Sequence, residues 1–514
     1  MFGPLFLSAF SLLLGGCLVG PSFQTPSVTL NPEWGGKDGD RVTAQAPGCE
    51  RWWEVFQDPV LDRLVRQARE QNLSLQVAGL RILESRAQLG IAIGQQYPQT
   101  QELAGDAATV GISKNAPNTA QADHYVRDYQ VGFDAAWELD FWGKFRRNVE
   151  AETASLNASM ADFANAQISL AAEVARTYAV MRTYEEYVEL AQQNVALQEE
   201  GLQIAQARFR NGATSELDVM QAQALVESTR ASIPQLQIRL KHARNALCTL
   251  LGQPVDGVAG LTDGPKVIPT PPAHVAVGVP ADLLRRRPDI RAAEQTALAQ
   301  NARIGMAEAD LYPSFSLIGE FGWETSGHSL SHAHNLFDQN SLFYSLGPGV
   351  RWPILNYGRI KNNVRVQDAR FEQALIRYQE TVLRAAQEVD DALTGFVKSQ
   401  DSAVFDRNTV AASKRSVEIA MTQYREGAVD YQRVLDTQRS LLQSQNSLVQ
   451  TRSAITTHLI TLFKALGGGW ELRLAAPPVP AAVREEMRRR TDWGKLLAEP
   501  PADGEAPSGQ PGNP

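Results

Sequence analysis

Several stretches of this chain alternate between apolar and polar positions. Tyr129, Val131, Phe133, Ala135 and Trp137 interleave with Gln130, Gly132, Asp134, Ala136 and Glu138. Leu342, Tyr344, Leu346, Val350 and Trp352 interleave with Ser345, Gly347, Gly349 and Arg351. Phe315, Leu317, Phe321 and Trp323 do the same with Ser316, Glu320 and Glu324. A period of two predicts strands with one apolar and one polar face. Around Glu102 to Ile112 the same alternation is weak. Aromatic residues near strand ends and a polar inner face fit a transmembrane barrel. A two-sided soluble sheet would share the period.

Elsewhere the period is helical. A first helical segment is expected from Pro59 to about Gln96, and a second from Pro280 to about Leu311. Lys144 to Arg210 holds no proline and one glycine, Gly201. A helix of that length would measure about 100 Å. Two apolar series run through it at intervals of seven: Val149, Leu156, Phe163, Leu170, Thr177, Tyr184 and Ala191, and Met160, Gln167, Val174, Met181, Val188, Val195, Leu202 and Phe209. Interleaved by three and four, they form a coiled-coil seam. Leu375, Val382, Val389, Phe396, Ala403, Val410, Val417 and Tyr424 repeat that seam later in the chain. Each long helix should end at a glycine turn, Asn211-Gly212 or Glu426-Gly427. Return helices follow, Leu217 to Leu251 and Gln432 to Leu466, the first kinked by Pro234.

These elements occur twice at a constant offset. Tyr97-Pro98 falls on Tyr312-Pro313, Trp137 on Trp352, Gly143 on Gly358, Glu173-Val174 on Glu388-Val389 and Gly212 on Gly427, each 215 residues on (for example 313 − 98 = 215). Such self-similarity implies two copies of one structural unit. The first copy covers 59–252 and the second 280–470, joined by a linker at 253–279. A Pro-, Ala-, Glu- and Gly-rich tail, 471–514, reads as flexible.

The chain has 514 residues and a formal net charge of −8. It lacks the basic stripe that nucleic-acid binding needs. The apolar run Leu5 to Leu14 has the length of a signal-peptide core and is too short to span a bilayer. It ends in Leu14-Gly15-Gly16-Cys17, so residues 1–16 read as a signal peptide, Cys17 as a lipidated cysteine and 17–58 as an extended segment. Leu18 next to the cysteine favours the outer membrane over the inner. Cys49 and Cys248 could pair in an oxidising compartment, but Cys248 reads as a buried helix residue and Cys49 as a loop thiol. His328, His332 and His334 sit in a polar loop between strands, and no metal is expected there. No other segment reaches 18 consecutive apolar residues, so an outer-membrane body must span with strands.

Four strands cannot close a barrel, and an open edge in hydrocarbon leaves backbone groups unsatisfied. The chain must borrow strands from its own copies. Two copies would give eight strands and a plugged interior; three would give twelve and a possible pore.

The residues resemble the TolC-like outer-membrane efflux factors, most closely the lipoprotein branch of OprM and NodT type. The resemblance rests on Val19-Gly20-Pro21, on Trp53 with Phe56-Gln57-Asp58-Pro59, and on Leu283-Leu284-Arg285-Arg286-Arg287-Pro288-Asp289-Ile290 with Ala293-Glu294. It continues in Ile304-Gly305, Tyr312-Pro313-Ser314, Tyr424-Arg425-Glu426-Gly427 and Val434-Leu435-Asp436-Thr437-Gln438-Arg439. It implies a mixed α+β membrane protein, a homotrimer whose twelve-stranded β-barrel, four strands per chain, is continuous with a long α-helical barrel. It implies a passive exit duct in the bacterial outer membrane. A periplasmic adaptor and an inner-membrane pump, of the resistance–nodulation–division type, would feed it. No enzymatic activity and no cofactor are implied beyond the covalent lipid on Cys17.

The resemblance also places a periplasmic aperture at the second helical turn. Its arginine falls on Arg425 and its gate aspartate on Asp436, while Gln432 and Arg433 depart from the family's usual residues there. Three Asp436 carboxylates around an axis would raise one another's pKa and attract cations, and Arg425 or Arg433 would offset them. Asp218, beside the first turn, is a candidate latch. The tips at Gly212 and Gly427 are the expected adaptor-docking surface. A non-conducting structural lipoprotein with periplasm-spanning coiled coils is the alternative, and it requires no pore-forming strands.

Overall fold

The computed structural model describes residues 18–29, 31, 34–35, 41–43, 50–117, 124–277, 286–327, 330–469 and 477–497. In chain order the elements are β1 (Val42–Thr43), α1 (Pro59–Gln71), α2 (Leu73–Gly94), β2 (Thr100–Gly111), β3 (Tyr125–Leu139), α3 (Lys144–Arg210), α4 (Glu216–Leu250), β4 (Val275–Ala276), α5 (Pro288–Ala309), β5 (Ser314–Gly327), β6 (Leu342–Arg351), α6 (Arg359–Glu426), α7 (Tyr431–Ala465) and α8 (Ala481–Arg490). They group into two compact units. One takes in Leu83–Ser159 and Ala293–Tyr378 with the residues up to Pro26; the other takes in Ser27–Ile82, Met160–Ala292 and the chain from Gln379 onward.

The first unit carries an antiparallel sheet in the order β2-β3-β5-β6. Its strands have 12, 15, 14 and 10 residues, enough for tilted strands to cross a bilayer. Because side chains alternate in direction along a strand, the register assigns each residue to a face. Leu103, Phe133, Phe321 and Tyr344 form one row across all four strands, and Val131, Trp323 and Leu342 another. Leu103, Tyr344, Leu346 and Val350 are 67–78% exposed in the single chain. The opposite face carries Glu102, Asp106, Asp128, Asp134, Glu138, Glu320 and Glu324, with Arg351 its only basic strand residue. Glu102, Asp134 and Glu320 lie directly opposite one another, an arrangement of like charges that weakens a sheet.

Beside the sheet, the segment after the expected lipid cysteine is fastened to helices of the same unit. Arg147 on α3 donates from Nε to the Val19 carbonyl (3.1 Å) and from Nη2 to those of Gly20 and Pro21. Asn301 on α5 also donates to Pro21. A Cβ at Gly305 would lie 2.8 Å from the Val19 carbonyl oxygen, so only glycine admits this approach. Cys17 lies outside the described residues.

The second unit is helical. Asp58 caps α1, accepting from the amides of Val60 and Leu61 (2.9 and 3.2 Å), with Pro59 at the first helical position. The helix expected to run unbroken from Pro59 to about Gln96 divides at Asn72. That residue is buried, is extended in backbone, caps Leu75 and donates to the Leu250 carbonyl. In contrast, α4 continues through Pro234 as one helix. Trp52 is wholly buried and stacks on Phe463 at 5.4 Å.

The Arg-Pro-Asp-Ile stretch has a structural role. Arg287 donates to the Ala465 carbonyl at the end of α7 (2.7 Å), to both oxygens of Asp289 and to Glu388 (2.9 Å). It thereby ties α5, α6 and α7 together at one buried guanidinium. Cys248 is buried and unpaired on α4; Cys49 lies outside the described residues. Among the described residues no helix is long and apolar enough to cross a membrane.

The tail reading needs a correction. Within 471–514, residues 481–490 form α8 and 494–497 a 3-10 turn, held by buried Val479, Met487 and Leu497. Pro478 packs closely on Gly79 of α2, and the buried residues of the segment are its few apolar ones rather than its exposed Ala481 and Ala482.

Replacing Arg287 with Ala would strand a carbonyl and two carboxylates. A fully buried pair broken this way loses about 3–5 kcal/mol; with Glu388 43% exposed, a loss of about 2–3 kcal/mol is expected. Denaturant unfolding followed by helical circular dichroism measures it, and an unchanged midpoint would refute this role.

Candidate functional site at the hairpin tips

Each long helix ends at a glycine with positive φ: +70° at Gly212 and +81° at Gly427. Left-handed glycines suit the position just past a helix C-terminus because they lack Cβ. The Gly427 and Ala428 amides return to the Tyr424 and Gln423 carbonyls, and those of Gly212 and Ala213 to the Phe209 and Arg208 carbonyls. The two turns are thus built alike.

Beneath them lies an apolar cluster from all four hairpin helices, including Ala205, Val219, Leu225, Met421, Tyr424, Tyr431, Val434 and Leu435. Tyr424 and Tyr431 meet edge to face at 5.2 Å. Tyr431 is fully buried and its hydroxyl has no hydrogen-bond partner among the described residues. Burial, with Tyr424 and Asp218 nearby, pushes its ionisation well above the usual tyrosine range. Gly201 explains itself here: a Cβ there would press on the Gln438 amide nitrogen (3.2 Å) and the Tyr431 hydroxyl (3.4 Å). Glycine weakens a helix interior, yet it lets α3 approach α7.

The two repeats are locked by Arg208. Its guanidinium lies 4.6 Å from the centre of the Tyr424 ring and donates to the Tyr424 and Ala213 carbonyls. One cation therefore satisfies a terminal carbonyl of α6 while covering the ring that closes the apolar cluster. The Tyr424 hydroxyl donates to Asp218 (3.2 Å), which also accepts from Thr214. Burial first, and Asp218 next among the charges, raise the Tyr424 ionisation. Asp218, expected beside the first turn, joins it to the end of the second long helix.

Arg425 and Asp436 are not joined to each other within the chain. Arg425 pairs with Glu200 on α3 (3.3 Å), both more than half exposed. Asp436 accepts from Gln432 one helical turn earlier (3.0 Å). Arg433 is exposed, and its side chain forms no hydrogen bond or ion pair with Asp436 among the described residues. The tip thus has a lock around buried Tyr424, Arg208–Tyr424–Asp218, and exposed polar and charged residues, Arg425, Gln432, Arg433 and Asp436. Arg208, Glu200 and Tyr431 were not singled out from the sequence. The signal nearest to them is the aromatic residue closing both seams, Phe209 and Tyr424. No group of carboxylate, histidine and cysteine side chains among the described residues is arranged to hold a metal.

A sheet with one apolar and one acidic face, joined in each repeat to a helical hairpin, defines a strand-spanning membrane channel subunit. The sequence model described as "outer membrane efflux protein" matches the chain twice, over residues 64–253 and 279–468. The two matches are themselves 215 residues apart (279 − 64 = 468 − 253 = 215). The chain is 30% identical to the pyoverdine export outer membrane protein OpmQ of Pseudomonas putida, over 87% of this chain and 94% of that one. It is 32% identical to nodulation protein T of Rhizobium leguminosarum bv. trifolii, over 90% and 96%. Among solved structures, the outer-membrane channel OprN superposes with a TM-score of 0.82 at 31% identity, over 88% of this chain and all of that one. The chain belongs to the outer membrane efflux protein family, and it is a subunit of a bacterial outer-membrane efflux channel. Members of this family are channel proteins rather than enzymes.

Replacing Arg208 with Ala removes a charged hydrogen bond of about 1.5–3 kcal/mol. The Gly427 amide should then exchange with solvent roughly tenfold faster or more. Hydrogen-exchange mass spectrometry reads this, and unchanged protection at 424–428 would show that the lock does not hold the turn.

Proposed function

We propose that three copies of this chain close a twelve-stranded barrel with the apolar rows toward lipid and the acidic face toward the lumen. The observation that carries this reading is the two-faced sheet: the row Leu103–Phe133–Phe321–Tyr344 is apolar across all four strands, and every strand carboxylate falls on the other side, with Arg127 the one charge on the apolar face. The channel is a passive exit duct. A periplasmic adaptor docks at the Gly212 and Gly427 tips, and an inner-membrane pump of the resistance–nodulation–division type supplies the energy. Relatives described as outer membrane components of efflux pumps support these partners, among them the toluene efflux pump protein TtgI of Pseudomonas putida, 31% identical over 90% of this chain. Lipid on Cys17 anchors the chain, next to the residues that Arg147 fastens.

The periplasmic aperture is formed by the exposed charges of α6 and α7. Asp436 from three chains would face a common axis, with Gln432 holding each carboxylate in place. Arg425 restrains the tip through Glu200. Exposed pairs of this kind are worth about 0–1 kcal/mol each, weak enough for a docking partner to open. The lock at Arg208 would keep each hairpin intact while the tips separate.

Planar-bilayer recording tests both halves of this reading. Wild type should show a small conductance that rises several-fold in Arg425→Ala/Asp436→Ala. Its reversal potential in a salt gradient should favour cations, and the preference should fall in Glu102→Gln/Asp134→Gln/Glu320→Gln, because a lumen lined with one sign of charge concentrates counter-ions. Conductance unaltered at the tip would move the aperture elsewhere. A channel indifferent to the strand substitutions would turn the acidic face away from the lumen.

A further inference from the structure

Part of the second unit lies outside the family match, which ends at residue 468. The Pro-rich stretch from Pro477 and the start of α8 pack against α1 and α2, where a Cβ at Gly79 would lie 2.3 Å from the Pro478 carbonyl oxygen. Together they wall a groove of about 670 Å³. Its floor is apolar, with Trp53, Leu75 and Phe163 all buried.

The rim has two unmet demands of opposite kind. Arg66 and Arg69 form no hydrogen bond or ion pair among the described residues. Arg69 is partly buried, and burial together with the nearby Arg51 lowers its hold on the proton. That is an unfavourable place for a guanidinium without an anion. On the same rim, Asp62 Oδ1 is buried without a hydrogen-bond partner. Burial, then Glu54 and Asp58, raise the Asp62 carboxyl above its usual range, and the nearby Arg66 and Arg51 offset only part of that rise. An inorganic anion would answer the arginines but be repelled by Asp62, Glu54 and Glu70, which share the groove. A ligand with both a carboxylate and an N–H donor answers both demands. The volume lies in the range that holds a ligand larger than a single small molecule fragment.

We infer that this groove binds a short peptide presenting a carboxylate to Arg66 and Arg69 and an amino group to Asp62, chemistry carried by the stem peptides of the cell wall. Planar guanidiniums suit a carboxylate, which they can hold with two parallel hydrogen bonds. The apolar floor suits the alkyl part of such a peptide. An outer-membrane channel with a body in the periplasm lies alongside that polymer, and binding would fix the channel laterally within it. Neither the strands nor the hairpin tips take part.

The test uses the full-length protein in detergent. It is co-sedimented with purified cell-wall sacculi and titrated with the free stem tetrapeptide by calorimetry. Wild type should sediment with the sacculi and bind the tetrapeptide. Arg69→Gln should weaken both by roughly tenfold or more, as expected for a lost charge-assisted hydrogen bond. Arg66→Gln, at an exposed position that leaves the fold intact, should weaken them in the same direction. Asp62→Asn should weaken the tetrapeptide but not its amine-acetylated form, a distinction that a merely structural role would not produce. Inorganic phosphate should not compete. The inference is overturned if wild type binds neither probe, if the arginine variants bind as wild type does, or if phosphate displaces the peptide.

Discussion

The two free edges of the β2-β3-β5-β6 sheet govern the rest of this protein. β2 and β6 each pair on one side only, so each carries a row of backbone N–H and C=O groups with no strand partner among the described residues. In water such an edge would be a liability; in hydrocarbon every unmet group costs several kcal/mol. The apolar row Leu103–Phe133–Phe321–Tyr344 nevertheless commits the sheet to lipid. A sheet that cannot leave the membrane and cannot close alone is complete only beside copies of itself. The pore is the consequence of that closure. In the proposed trimer the acidic face is its lining, and the repulsion in Glu102–Asp134–Glu320 is a stability cost set against what a charged lumen would do to the ions within it.

The hairpin tips solve a different problem with a graded set of interactions. Tyr424 and Tyr431 are buried to 1% exposure or less, and Arg208 binds the ring and carbonyl of Tyr424 at once. Outside them the polar groups are exposed and joined along the surface, Arg425 paired with Glu200 and Gln432 donating to Asp436. Strong contacts thus hold each hairpin together, and the weak ones lie on its exposed surface, where the proposed aperture would form. A structure intended to open needs that order of strengths.

Much of this was legible in the amino-acid sequence because it depends on period. The 215-residue offset, the bounds of α3 and the strands around Phe133, Phe321 and Tyr344 follow from spacing alone. β2 was faint because Gly105, Ala107 and Thr109 stand on its outer face, where its neighbours carry Val131, Tyr129 and Arg127. Its place is set by pairing with β3, a long-range fact. The break at Asn72 depends on a partner 178 residues away, the Leu250 carbonyl. Arg208 and Tyr424 belong to different repeats, so neither copy reveals their contact. The resemblance set Arg425 or Arg433 to offset Asp436, whereas within the chain Arg425 pairs with Glu200, a partner that only the three-dimensional fold brings near. The C-terminal helix was hidden by composition: Pro477 to Pro480 read as loose, yet Val479 is buried.

The central claim is that the sheet closes with copies of the chain, three of them. Native mass spectrometry of the protein extracted in mild detergent measures this directly. A single species with the mass of three chains, lost when the edge strand β2 is disrupted by proline at Leu103, is the expected result. A stable monomer or dimer that retains its strands and inserts into bilayers would contradict the account.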